Sequence, residues 1–418
     1  MNQIDVYEHG RLIIDEEVFT RSHWKSFVKL NTLQHGAYFD VLHNGLKFKH
    51  YVGVLQVDGL LVNIHPKADK DDDDSKWKGV LLQMLKICGK VKAQTAGNAQ
   101  LKKQNINLLE VYFEYYLKEM EGLIHGGLVK KYRKEASNVK ALKGKLEFAG
   151  NIRKNLVHKE RFYTTHQVYD ANHKLHQVLR HALEIVSQFT RATSLNDKCR
   201  RVQLAFPEVN SIHPTKQLLD SIKIDRKTAP YERALELAKF IILNYSPDIN
   251  RGQQKMIALL FNMNELWEEY VLKMLKKYVR ENIDKGWSVC GQESKTFYGQ
   301  YRTIRPDIVL RRGEEGNKET FVIDTKWKRP TNKSASIEDL RQMYAYGRFW
   351  DSEMLMLLYP GNDHDSGYEG YPNEFDSNRN HQCKIGIVNV LDENSLDFRI
   401  GEKVINLLTE KELVNLIR

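Results

Sequence analysis

Asp307, Asp324 and Lys326 are the residues whose types and spacing point to chemistry. They lie in two segments, Arg305-Pro306-Asp307-Ile308-Val309-Leu310 and Phe321-Val322-Ile323-Asp324-Thr325-Lys326-Trp327, where carboxylates interrupt otherwise apolar strands. Side chains two apart on a strand share a face, so Asp324 and Lys326 point together while Ile323, Thr325 and Trp327 point the other way. Between the segments, Arg311 to Glu319 contains Gly313 and Gly316. A loop there returns the chain antiparallel and sets Asp307 beside Asp324. Two carboxylates so placed repel at neutral pH, and their oxygen ligands suit a neutralising Mg²⁺ or Mn²⁺. Such an ion binds a phosphate oxygen, acidifies a bound water and offsets the charge that builds on phosphorus. Lys326 would orient or deprotonate the attacking water and stabilise developing charge. These are the parts of a phosphodiesterase. The plainer alternative is an Asp324–Lys326 ion pair on a solvated strand face.

The surrounding pattern supplies elements to hold these groups. A long amphipathic helix is expected over Met256 to Arg280, carrying Glu265, Glu268 and Glu269. Strands follow at 287–296, 301–311 and 320–327, then a helix at 337–349, on which Gln342 and Tyr346 lie four apart and share a face. Strands at 354–359 and 384–390 complete a mixed α/β sheet. The earlier part reads as α+β, with short strands at 4–7 and 12–14 and a hairpin of 49–57 and 60–64 around Asp58-Gly59. Helices are expected over 106–123, 174–189 and 231–245. The polar stretch 246–253, with Pro247 and Gly252, reads as a linker and places a boundary near 250, dividing the chain into 1–250 and 251–418.

Composition narrows the classes. With 418 residues, 41% hydrophobic and 28% charged, the chain is neither disordered nor a disulfide scaffold, and its length predicts more than one domain. A net charge of +10, from 64 Lys+Arg against 54 Asp+Glu, favours polyanionic partners. No apolar run reaches the roughly 18 residues of a membrane span, and the start lacks a secretory pattern, so a cytoplasmic protein with no membrane contact is expected. Cys88, Cys199, Cys290 and Cys383 have no paired spacing and read as reduced, mostly buried thiols. His166, His173, His176 and His181 lack partners at zinc-ligand spacing and read as helix-surface residues. The acidic run Asp71 to Asp74 reads as a solvated loop. Ten basic residues between Lys130 and Lys159 form a surface for phosphate or for an acidic partner.

Pro306-Asp307 followed by Asp324-Thr325-Lys326 resembles the signature of the restriction-endonuclease-like, PD-(D/E)XK, nuclease superfamily. The larger context is more specific. Leu266-Trp267-Glu268-Glu269-Tyr270-Val271, Arg305-Pro306-Asp307-Ile308, Ile323-Asp324-Thr325-Lys326-Trp327 and Asp339-Leu340-Arg341-Gln342-Met343-Tyr344-Ala345-Tyr346 follow one another as in McrC, the endonuclease subunit of McrBC type IV restriction systems. Val52-Gly53-Val54, Ile64-His65-Pro66-Lys67, Leu142-Lys143-Gly144-Lys145-Leu146 and Tyr169-Asp170-Ala171-Asn172-His173-Lys174-Leu175 resemble family landmarks in the same order.

The resemblance implies an α+β N-terminal domain (1–250) that docks on an AAA+ ring and a PD-(D/E)XK endonuclease domain (251–418). It implies Glu268 as the helix acid, with Glu265 and Glu269 as alternatives, Asp307 and Asp324 as ligands of Mg²⁺, and Lys326 as the catalytic lysine. Gln342 and Tyr346 are implied as support, and Lys143, Gly144 and Lys145 as partner or DNA contacts. The implied partners are a McrB-like AAA+ GTPase hexamer, whose GTP hydrolysis the chain stimulates, and double-stranded DNA. GTP would be bound by the partner, consistent with the absence of a GxxxxGK[ST] motif here. Thr325 replaces an expected small residue but should point away from the metal, and His176 and Gln177 depart from the family's Asn and Arg. A noncatalytic DNA- and ring-binding adaptor and a stand-alone repair nuclease are the alternative readings.

Overall fold

The computed structural model describes residues 2–33, 35–57, 59–67, 77, 79–90, 108–190, 195–247, 255–313, 318–328, 335–361, 373–374, 382–392 and 395–409. The acidic run 71–74, most of the expected linker, Asp58 and Gly316 lie outside these residues.

The chain begins with β1 (Asn2–Tyr7) and a small antiparallel sheet of β2 (Arg11–Ile13), β3 (Phe39–Leu42) and β4 (Gly45–Phe48), with α1 (Arg21–Leu33) between β2 and β3. β5 (Tyr51–Val57) and β6 (Leu60–His65) form the hairpin expected around Gly59, with Val57 opposite Leu60, and β1 lies parallel to β6. Gly59 has φ +81°, the left-handed region that a tight connection needs and glycine enters without a Cβ clash. Both strands are almost wholly buried, which explains their continuous rather than alternating apolar character. A short helix, α2 (Val80–Ile87), follows.

Residues 104–259 form a separate compact unit. Its core is helical: α3 (Leu108–His125), α5 (Lys174–Phe189) and α6 (Glu232–Leu243) bury their apolar stripes, and Tyr116 Oη donates to the Leu179 carbonyl at 2.6 Å. Between α3 and α5 runs a three-stranded sheet. β7 (Lys131–Val139) and β9 (Phe162–Asp170) pair antiparallel along their whole length, and β8 (Lys145–Leu146) lies on the other edge of β9. Helix α4 (Phe148–Asn155) connects β8 to β9. The strands β10 (Tyr245–Pro247) and β11 (Lys255–Asn262) pair antiparallel.

β11 corrects the expected helix over 256–280. The helix α7 spans Met263–Glu281, and the seven residues before it are strand. Met256-Ile257-Ala258-Leu259-Leu260 is apolar at every position and buried throughout, a run whose periodicity cannot separate strand from helix. The switch comes at Asn262, which caps α7 by accepting from the Asn264 N–H at 3.0 Å.

After α7 come β12 (Trp287–Gly291), the two-stranded hairpin β13 (Lys295–Tyr298) and β14 (Arg302–Ile304), β15 (Ile308–Arg312) and β16 (Glu319–Thr325). Helix α8 (Ile337–Trp350), β17 (Met354–Gly361), β18 (Asn373–Glu374), β19 (Gln382–Asn389) and α9 (Ile400–Thr409) complete the chain. The sheet order is β12-β15-β16-β17-β19-β18. β15 is antiparallel to β12 and β16, and β17 is parallel to β16 and β19, so the sheet is mixed, as expected. Met343, Tyr346 and Trp350 of α8 pack on Val309, Val322, Leu355, Leu357 and Tyr359, each such buried side chain contributing about 1.5–3 kcal/mol. α7 and α9 approach so closely that a Cβ on Gly401 would lie 2.5 Å from the Met274 carbonyl oxygen.

The single boundary near 250 is not how the chain divides. Residues 1–103 and 260–418 form one compact unit, into which 104–259 is inserted. The reason is visible around Trp327. Its indole N–H donates to Glu8 Oε1 at 2.6 Å, and its ring meets Trp77 edge-on at 6.1 Å and Trp267 at 5.4 Å. The Met263 N–H donates to the His50 carbonyl, the Leu396 N–H to Gln83 Oε1, and Lys90 pairs with Glu269. The first hundred residues thus complete the core of the half that carries Asp307 and Asp324.

Candidate active site

Each group of the site is placed by a local rule. In the β15–β16 ladder Ile308 faces Ile323, so one step further the antiparallel register sets Asp307 against Asp324, as the loop argument requires. Pro306 brings no N–H to the pair it would form with Thr325, and the ladder stops there. The Thr325 N–H turns instead to Asp307 Oδ2 at 2.7 Å, and the Thr325 hydroxyl donates to the same oxygen at 2.8 Å. This corrects the expectation for Thr325, which is a direct anchor of one site carboxylate rather than a bystander.

Lys326 Nζ lies 2.6 Å from Asp324 Oδ2 and 3.5 Å from Asp339 Oδ1. The side chain of Asp324 is only 3% exposed, which removes the reading as an ion pair on a solvated face. Lys326 Nζ also reaches Gln342 Oε1 at 3.5 Å, Gln342 Nε2 donates to Tyr346 Oη at 2.7 Å, and Tyr346 Oη donates to the Arg305 carbonyl at 3.0 Å. Gln342 and Tyr346 therefore share one face of α8, as their spacing predicts, and join the lysine to the backbone that leads into Asp307.

Of the three candidate helix acids, Glu268 feels the charge of Asp307 and Asp324. Glu265 is exposed and accepts from the Asn262 side chain, and Glu269 pairs with Lys90 at 3.0 Å. Glu268 accepts from Gln292 Nε2 at 2.6 Å. Burial, then the Asp307 charge, push its carboxyl up to about 7, against Gln292 and Arg305. Asp324 is raised by burial and then by Asp307, with Lys326 opposing. Asp307 is also raised by burial, although Thr325, Lys326 and Arg305 pull it down. Burial disfavours the Lys326 ammonium, but Asp324, Asp339 and Asp307 leave it favoured beyond the ordinary lysine. At neutral pH it is a cation and a poor base.

Sequence reasoning missed Thr325, Asp339, Gln292 and Arg305. Asp339 had a signal: its N–H donates to Ser336 Oγ at the start of α8, a Ser-x-x-acid capping pattern, and its carboxylate also pairs with Lys328 at 3.1 Å. Gln292 had none.

Among the described residues no group of three or more His, Cys, Asp and Glu side chains is gathered for a metal. The chemistry of Asp307 and Asp324 nevertheless fits a hard cation. Both present only carboxylate oxygen, and burial holds the protons of both above the ordinary range, with the Asp307 charge adding to it at Asp324. Mg²⁺ commonly takes one or two protein carboxylates and keeps its waters, so two suffice.

Lys143, Gly144 and Lys145 lie elsewhere, in the 104–259 unit. Gly144 has φ +73°, and a Cβ there would fall 2.4 Å from the Thr165 carbonyl oxygen, so only glycine lets this turn press on β9. Lys143 and Lys145 are exposed. His176, expected on a helix surface, is buried against Tyr231 Oη at 3.2 Å, and burial lowers it to about 4. The described thiols are free, and Cys88, Cys199 and Cys383 are buried. Among the described residues no helix is long and apolar enough to cross a membrane.

The family model described as "McrBC 5-methylcytosine restriction system component" matches residues 46–360. The chain belongs to this family. It is of the McrC type. The type IV methyl-directed restriction enzyme EcoKMcrBC of Escherichia coli K12 is 22% identical over 229 residues, 53% of this chain, and the chain spans only 64% of that relative's length. In solved structures, a chain of the refined half-complex from the tetradecameric assembly of Thermococcus gammatolerans McrB AAA+ hexamers with bound McrC aligns with a TM-score of 0.67 at 20% identity. That alignment covers 97% of this chain and 99% of the other, so the two share a fold. A chain of the cryo-EM structure of the T. gammatolerans McrBC complex aligns over 66% of this chain and 88% of its own, at 21% identity and a TM-score of 0.46.

Proposed function

We propose that this McrC-type chain is a Mg²⁺-dependent endodeoxyribonuclease of PD-(D/E)XK type that works with a GTP-driven AAA+ ring. The observation that carries the reading is the buried Asp307–Asp324 pair with Lys326 on Asp324 and Glu268 beside Asp307. Asp307 and Asp324 would hold the metal, which when bound supplies Lewis acidity toward a phosphodiester. Thr325 fixes the Asp307 carboxylate in one rotamer. Lys326, a cation at neutral pH, orients the attacking water and stabilises charge on the phosphate oxygens rather than taking the proton. Glu268, with its carboxyl near neutrality, is the group suited to receive a proton from water.

The ring-docking role expected of residues 1–250 narrows to part of the inserted unit. Leu142, Phe148, Ile152, Leu156 and Val157 are all exposed around Lys143-Gly144-Lys145. An apolar patch rimmed by lysines fits a protein partner better than DNA.

Asp324→Asn and Lys326→Ala should each lower Mg²⁺-dependent DNA cleavage by on the order of 10³-fold, with stimulation of the partner's GTP hydrolysis retained. Mg²⁺ should also raise the melting temperature of the wild-type chain, and Asp324→Asn should abolish that rise. Full cleavage by Asp324→Asn would end the nuclease reading. A wild-type chain that stimulates the ring but neither cuts nor responds to Mg²⁺ would be an adaptor.

A further inference from the structure

The hairpin β13–β14 stands apart from the six-stranded sheet and runs directly into Arg305-Pro306-Asp307. Its root is fixed to α8 at several points. Lys295 Nζ donates to the Phe349 carbonyl at 2.8 Å and lies 4.8 Å over the Trp350 ring. Phe297 packs on Phe349 with ring centroids 5.5 Å apart, and Arg305 receives the Tyr346 hydroxyl through its carbonyl. The same helix therefore holds the hairpin and the Gln342–Tyr346 support of Lys326.

Its tip is built differently. The strands pair irregularly between Thr296 and Tyr298, and the turn passes through Gly299 at φ +59° with open space around it. Tyr298 and Tyr301 are 69% and 90% exposed. The tip therefore presents two neighbouring aromatic rings to solvent, open to a ligand that stacks on them. The charge says which. From Lys295 to Pro306 there is no carboxylate, while Lys295, Arg302 and Arg305 are basic. Arg305 also acts electrostatically on both Glu268 and Asp307, so the basic strip continues to the edge of the carboxylate site.

We propose that residues 295–305 form a DNA-contacting finger, with Arg302 and Arg305 on backbone phosphates and Tyr298 and Tyr301 laid against the sugars and bases next to the bond to be cut. The proposal deepens the nuclease reading and rests on it for the position of that bond. Aromatic rings offer stacking to any base, and arginines offer phosphate contacts without sequence preference, so the finger serves placement rather than target choice.

The test is binding of a fluorescently labelled DNA duplex to the full chain in magnesium-free buffer over a salt series. Tyr298→Ala and Tyr301→Ala should each weaken binding about 5-fold or more, and Tyr301→Phe, which keeps the ring, should restore it. Arg302→Ala should weaken binding and reduce the slope of log K against log salt by about 1. All four variants should keep the Mg²⁺-induced rise in melting temperature, because the carboxylate site is intact. Unchanged affinity in both Tyr→Ala variants, or a wild-type chain with no measurable affinity for the duplex, would overturn the finger while leaving the Mg²⁺ site standing. Tyr→Ala variants that bind DNA normally but lose the AAA+ partner would assign the face to protein and overturn it equally. Conversely, a wild-type chain without Mg²⁺ response whose DNA affinity falls on losing the tyrosines would sink the nuclease reading and keep the finger.

Discussion

The sheet that carries Asp324 and the small sheet around α4 break the same rule in opposite directions. In the first, charge is buried: Asp324, Asp339 and most of Asp307 lie inside a core of Val309, Val322 and Tyr346. In the second, the apolar side chains face water. Of α4 only Asn155 is buried, held by its amide donating to Asn138 Oδ1, Asn151 Oδ1 and the Arg161 carbonyl, while Phe148, Ile152 and Leu156, four apart along one face, are exposed. Folding alone selects neither arrangement, since burying unbalanced carboxylates costs stability and an exposed stripe gains none. On the function proposed above, each would be completed by something from outside, a cation in one case and an apolar surface in the other.

The largest effect is expected at the exposed stripe. Replacing Phe148, Ile152 and Leu156 together by Ser should leave the melting temperature unchanged or raised, yet weaken association with the AAA+ ring by about 30-fold or more, as loss of a central apolar cluster does. Titrating the ring and following stimulated GTP hydrolysis measures this, and wild-type stimulation would leave the stripe without a function.

The buried charges predict a pH effect of intermediate size. Glu268 and Glu8 are each raised from the ordinary 4.5 to about 7, Glu8 by burial against the Lys67 N–H and the Trp327 indole, and Asp307 and Asp324 are raised from 3.8. A carboxyl whose folded-state pKa exceeds its unfolded one favours folding below the unfolded value and loses that contribution as pH climbs through the folded value. The metal-free chain should therefore lose stability between about pH 4 and 7. Mg²⁺ should restore the part due to Asp307, Asp324 and Glu268 but not the part due to Glu8. Melting curves of wild type, Glu8→Gln and Glu268→Gln with and without Mg²⁺ separate the two; a Mg²⁺ response equal across the pH range would contradict the assignment. The smallest effect is expected at Tyr346→Phe, which removes one hydrogen bond at each end of the Gln342–Arg305 relay and should cost roughly 1 kcal/mol, or several-fold in cleavage rate, without changing the pH profile.

Much of the site was legible because two short-range rules suffice for it. Strand parity places Lys326 with Asp324 and sends Trp327 into the core, and an antiparallel return places Asp307 opposite Asp324. The illegible parts depend on what parity leaves out. Thr325 acts as strongly through its backbone N–H as through its hydroxyl, and side-chain parity says nothing about where a backbone N–H points. The strand at 255–262 was hidden by an apolar run that either period accommodates. The division of the chain was hidden because Glu8, in the turn Tyr7-Glu8-His9-Gly10, reads as an ordinary polar turn residue and not as the buried acceptor for a tryptophan more than three hundred positions away.

That tryptophan bond also orders events during synthesis. The inserted unit is one continuous stretch, with all its partners present once residue 259 has emerged, whereas the unit around it begins first and finishes last. Trp77 and Glu8 must wait for Trp327 to leave the ribosome. A cut at 250 therefore does not release a ready-made half: it leaves Trp267 and Trp327 without Trp77 and Glu8.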